Sequence, residues 1–118
     1  MGYTQTAALV YDVFRIRRAR SAPARERQSK FMKVTLVQMN SIGDKAVNLA
    51  NARALIEQAV AQEKPDWICL PEVFDFIGGS RDEKLAAAEE LPGGPAYEMC
   101  RTLAREHKVY IHAGSILE

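Results

Sequence analysis

The sequence predicts a small α/β domain in which parallel strands are joined by helices. Three observations carry that expectation. The runs "KVTLVQM", "DWICL" and "VYIHAGSILE" are short, apolar and rich in β-branched residues, as buried strands are. The stretches between them hold apolar residues at helical spacing, and they are long enough for the crossovers that parallel pairing requires. Glycine, proline, asparagine and serine mark the joints.

Residues 1–31 stand apart. They carry seven Lys/Arg against two Asp/Glu, whereas residues 32–118 carry nine against thirteen. The first segment, with "RIRRARSAPARERQSK", is expected to be a disordered leader or not part of the native protein; Met32 would itself serve as a start. An Arg-rich organelle transit peptide is the functional alternative, and residues 7–18 have the makings of a short basic helix.

From Lys33 the pattern becomes regular. "KVTLVQM" is the first predicted strand, and Asn40, Ser41 and Gly43 supply turn chemistry after it. Asp44 is placed to cap a helix. "KAVNLANARALIEQAVAQE" then sets Leu49, Ala52, Leu55, Ile56, Ala59 and Val60 on one face, with Lys45, Asn48, Arg53 and Glu57 assigned to the other. Pro65 ends this helix, and "DWICL" is the second strand. A loop, "VFDFIGGS", leads to a short helix in "RDEKLAAAEEL". "PGGP" is a turn, with Pro95 suited to the first position of the next helix. "AYEMCRTLAREH" puts Met99, Cys100, Leu103 and Ala104 on one face, and "VYIHAGSILE" is the third strand.

Composition excludes several classes. No apolar run approaches the roughly 18 residues of a membrane span. The acidic remainder of the chain gives no reason to expect nucleic acid or an anionic membrane as partner. Cys69 and Cys100 have neither metal-ligand nor disulfide-framework spacing, and a reducing, cytoplasmic setting is the default.

Glu72 is the residue that raises a chemical question. It follows Pro71 at the carboxyl end of the second strand, where functional groups gather in open α/β sheets. Gln38 and Asn40 fall near the matching end of the first strand and Ser115 near that of the third. A Glu in this position is a candidate acid or base, but it can equally cap a helix or pair with an arginine.

The run "VTLVQMNSIGDKAVNLANARALIEQAVAQEKPDWICLPE" resembles the opening of the nitrilase superfamily, the carbon–nitrogen hydrolases. Gln38, Asn40, Gly43-Asp44, Asn48 and Pro71-Glu72 carry the resemblance, with "LPGGP", "LAREH" and "AGSILE" further on. It covers residues 33–118, in order, and the leader has no counterpart. The resemblance implies the N-terminal portion of a four-layer α-β-β-α sandwich, with residues 32–118 a partial hydrolase domain. It implies cleavage of a small-molecule amide or nitrile through a Glu-Lys-Cys triad and a thioester, without metal or other cofactor. Glu72 matches the general base. In such a mechanism a thiolate attacks the carbon, a lysine ammonium stabilises the charge on oxygen, and the glutamate moves the protons. Val73, Phe74 and Phe76 are expected to enclose Glu72 partly and raise its pKa. "FDFIG" also resembles the stretch of family members that cut the ω-amide of glutamine- or glutathione-like compounds, which marks Phe74 and Phe76 as substrate-binding walls, core packing being the plainer role.

The family's lysine and cysteine lie beyond its third strand. Cys69, alternating with Ile68 and Leu70, and Cys100, on an apolar helix face, both read as core. Lys64, Lys84 and Lys108 read as solvated charges. The expectation is therefore a chain that is inactive alone, marginally stable, and prone to homo-oligomerise or aggregate through an uncovered sheet face. Two rivals stand beside it. One is a metal-dependent phosphoesterase of DNase-I-like fold, with Asn40 and Glu72 near magnesium, although that family typically has Gln where Pro71 stands. The other is a non-catalytic truncated copy that acts only by association.

Overall fold

A computed structural model describes residues 13–17 and 31–118. The elements run β1 (Val13–Arg17), β2 (Phe31–Leu36), α1 (Lys45–Glu63), β3 (Trp67–Cys69), α2 (Arg81–Ala87), α3 (Pro95–His107) and β4 (Tyr110–His112). One four-stranded sheet has the order β1-β2-β3-β4. β2, β3 and β4 are parallel, as the crossover lengths predict, so the domain is α/β. β1 pairs antiparallel with β2, Val13 opposite Thr35 and Arg17 opposite Phe31.

β1 corrects the basic helix expected over residues 7–18. Phe14 and Ile16 alternate with Arg15 and Arg17 at the period of two that a strand requires, and the edge of β2 offers a ladder for that backbone. The other residues of that expected helix lie outside the described residues. The pairing also carries the sheet across the compositional break, since β2 itself begins at Phe31.

Helix boundaries follow the local chemistry. The Asp44 carboxylate accepts the Val47 N–H at 3.1 Å and caps α1. α1 ends at Glu63, and Lys64 turns left-handed (φ 47°) just before Pro65. Ser80 and Glu83 form a reciprocal capping box on α2, and these bonds from Ser80, its N–H foremost, hold the Glu83 carboxyl below its usual pKa. Pro95 occupies the first turn of α3.

The core lies between the helices and one face of the sheet. Ala52, Leu55, Ile56 and Ala59 of α1 and Ala96, Met99, Cys100 and Leu103 of α3 close on Val37, Ile68, Leu70 and Phe74. Leu49 and Val60 pack at its margin. Register explains the division of the strands. Thr35, Ile68 and Ile111 stand in one row, facing the helices. The flanking rows, Val34-Trp67-Tyr110 and Leu36-Cys69-His112, face the other way. On that side Leu36, Trp67 and Tyr110 are exposed, the last at 72%.

Two expectations of burial are corrected by this arrangement. Helical spacing predicts Asn48 on the face of α1 opposite the apolar stripe, whereas it is fully buried. It lies four residues before Ala52, which puts it on the apolar stripe. Cys69 was expected in the core; it is half-buried, in a row that faces away from the helices. Cys100 is buried in the core as expected.

Candidate active site

The loops after β2, β3 and β4 meet at the carboxyl ends of the parallel strands, and Glu72 stands among them. Its side chain is exposed. The expected enclosure by Val73, Phe74 and Phe76 is not what these residues form: Phe74 is fully buried within the core, and Phe76 is 7% exposed. The apolar rings leave water for the interior while the carboxylate keeps its hydration outside. Gln38 and Asn40 lie exposed on the adjoining loop.

The backbone around Glu72 is held closely. Val73, the next residue, is left-handed at φ 47°. For a β-branched residue this conformation costs on the order of 1–3 kcal/mol, and it persists only where the surroundings over-determine it. Those surroundings are visible. The Val73 N–H donates to Ser115 Oγ at 2.7 Å. Ser41 Oγ donates to the Phe74 carbonyl at 3.0 Å. Asn48 Nδ2 donates to the carbonyls of Ile42 and Asp75, and Asn48 Oδ1 accepts the Ile42 N–H at 3.0 Å, so both donors and the oxygen of its buried amide are engaged. Gly114 is left-handed at φ 60°, and a Cβ there would collide with the Pro71 carbonyl. Backbone therefore rests on backbone immediately before Glu72.

Beneath the loop is a buried ionic cluster that sequence reasoning missed. Asp75 has no exposed surface, and its carboxylate meets Lys45 Nζ at 3.2 Å and the Leu117 N–H at 3.3 Å. Lys45 Nζ also meets Glu89 Oε1 at 2.6 Å and the Ala87 carbonyl at 2.6 Å. Glu89 accepts the N–H groups of Ala96 and Tyr97 at 2.8 and 3.3 Å, at the first turn of α3. One lysine thus joins the Glu72 loop, the end of α2 and the start of α3. The available signal was Asp75 itself, a carboxylate between two phenylalanines in "VFDFI", which demands a cationic or N–H partner.

Neither cysteine suits a nucleophile. Burial, with Glu89 and Asp75 nearby, pushes the Cys100 thiol up to about 11. Burial also raises Cys69. Among the described residues no group of three or more His, Cys, Asp or Glu is arranged to hold a metal. Among the same residues no helix is long and apolar enough to cross a membrane.

A parallel α/β layer carries Glu72 at its strand ends on a closely held backbone turn, and comparison with known proteins is specific about the family. Residues 33–118 match the family described as carbon–nitrogen hydrolase. This chain belongs to the carbon–nitrogen hydrolase family. It is 31% identical over 99 residues to the nitrilase and fragile histidine triad fusion protein NitFhit of Drosophila melanogaster, covering 84% of this chain and 21% of that protein. It is 31% identical over 93 residues to the deaminated glutathione amidase of Dictyostelium discoideum, covering 76% and 32%. A nitrilase of Pyrococcus abyssi is 33% identical over 87 residues, covering 71% and 33%. The chain therefore spans only about a fifth to a third of these relatives. The match selects this family over the magnesium-dependent phosphoesterases that open with a similar strand, Asn, helix and Glu.

Proposed function

We propose that this chain supplies the general-base segment of an enzyme that hydrolyses a small-molecule amide or nitrile, with Glu72 as the base. The observation that carries the proposal is the strained, multiply held turn that begins at Glu72, together with the family match over 33–118. The chemistry is that of the Glu-Lys-Cys triad. Glu72 takes the thiol proton as sulfur attacks the carbon, returns a proton to the departing nitrogen, and then activates water against the thioester. Phe74 and Phe76, expected as substrate walls, act on this reading as the floor under the loop, in keeping with their burial. Amide and nitrile both belong to the proposal, since one relative is named as an amidase and another as a nitrilase.

The test is a chimera in which residues 33–118 replace the matching segment of the Dictyostelium amidase. It is expected to turn over an amide substrate. Glu72→Gln in that chimera should lower kcat by about 10²–10⁴, the contribution usual for a general acid–base, with its circular dichroism unchanged. Retained turnover removes Glu72 from the mechanism.

A second reading, a chain that acts only by packing against a partner, is favoured by the exposed Leu36, Trp67 and Tyr110. The chimera separates the two, since a purely associating chain gives no turnover in it.

A further inference from the structure

The segment after β4 runs alongside the Glu72 turn and touches it at three successive points. The Gly114 backbone lies against the Pro71 carbonyl. Ser115 Oγ accepts the Val73 N–H at 2.7 Å. The Leu117 N–H reaches both oxygens of the Asp75 carboxylate, while the Leu117 carbonyl accepts the Glu89 N–H at 2.8 Å. Two of these contacts are backbone-made or shared with the Lys45 cluster. Ser115 alone among the three acts through its side chain, and it acts on the residue with the strained φ.

We propose that Ser115 is a positioning residue for Glu72. Its hydroxyl, by accepting the Val73 N–H, holds Val73 left-handed and so fixes the direction in which the Glu72 carboxylate leaves the end of β3. The inference rests on the reading of Glu72 as the base. Without the hydroxyl the Val73 N–H loses its partner, and the backbone has every reason to relax to φ below zero, where a valine is at ease. The carboxylate would then swing with its own backbone, although neither its chemistry nor the core had been altered.

The test uses the isotopically labelled 118-residue chain and reads two quantities by NMR: amide hydrogen exchange, and the H–N–Cα–H coupling that reports φ. Ser115→Ala should speed exchange at Val73 by about five- to tenfold, the effect of one lost hydrogen bond on local opening. It should also change the Val73 coupling, with exchange at Ile68 in the core unaltered. Ser115→Thr, which keeps the hydroxyl, should restore both. Ser115→Cys, of similar size but a much weaker acceptor, should act in the same direction as alanine and serves if the alanine variant folds poorly. Ser80→Ala, which removes a hydroxyl that caps α2, should leave Val73 unaffected. Wild-type coupling and exchange at Val73 in Ser115→Ala would overturn the proposal, as would equal acceleration at Val73 and Ile68. In the chimeric enzyme Ser115→Ala should lower kcat with KM little changed. If Glu72→Gln keeps full turnover there while Ser115→Ala still frees Val73, the base assignment falls and the control of the turn stands.

Discussion

Thr35 is fully buried in the row that faces the helices, and its Oγ1 is the buried side-chain oxygen or nitrogen left without a hydrogen-bond partner among the described residues. A hydroxyl in that state costs stability, and valine has the same shape without it. Thr35→Val is expected to stabilise the chain by about 1 kcal/mol, read as a raised urea midpoint at unchanged slope; a lowered midpoint would mean that the hydroxyl has a use the structure does not reveal. At this scale the sequence was informative where a residue's role follows from its place along a strand. Glu72 at a strand end was legible for that reason. Asp75 was not, because its partners Lys45 and Leu117 are brought to it from thirty and forty-two positions away. Nothing in the order of residues reveals such a convergence.

The elements were largely legible because their ends carry local chemistry. Asp44, Pro65 and Pro95 each act on neighbours within a few residues, and α1 and α3 take their bounds from them; the Ser80 cap of α2 is a finding of the structure. Strand extent was less legible. The last apolar run is regular only over Tyr110–His112, since the residues after it bend to brace the Glu72 loop and leave the ladder. Lys45 shows the same limit at a helix. Its place on α1 predicts the face opposite the apolar stripe, yet among the described residues it is the cation that joins two buried carboxylates. Replacing it by methionine keeps the volume and strands both charges. Lys45→Met should therefore destabilise by about 3–5 kcal/mol, a large part of a small domain's whole stability. Thermal melting followed by circular dichroism is the measurement, and a wild-type midpoint would show that the N–H groups of Ala96, Tyr97 and Leu117 suffice for the two carboxylates.

For the molecule as a whole, the consequential fact is that helices cover one side of the sheet. Trp67 and Tyr110 stand with ring centroids 6.3 Å apart on the other side, beside the row of Leu36 and Cys69. Apolar surface spread over neighbouring strands favours contact with another apolar surface. We expect the isolated chain to self-associate, with a sedimentation coefficient that rises with concentration. The paired change Trp67→Ser and Tyr110→Ser should shift it toward monomer. A wild-type chain that stays monomeric at high concentration would count against this. The α/β class and the parallel core were foreseeable from the alternation of element types. The antiparallel β1 is hidden in the sequence, because its arginines give the segment the charge of a solvated leader and mask the period of two.

The bonds from Ser115 and Leu117 have a consequence in time. They join residues forty-two apart, and they cannot exist until β4 has docked beside β3. A nascent polypeptide emerging from the ribosome presents Glu72 some forty residues before it can complete the bend beneath it, so the acid group is made before its support exists.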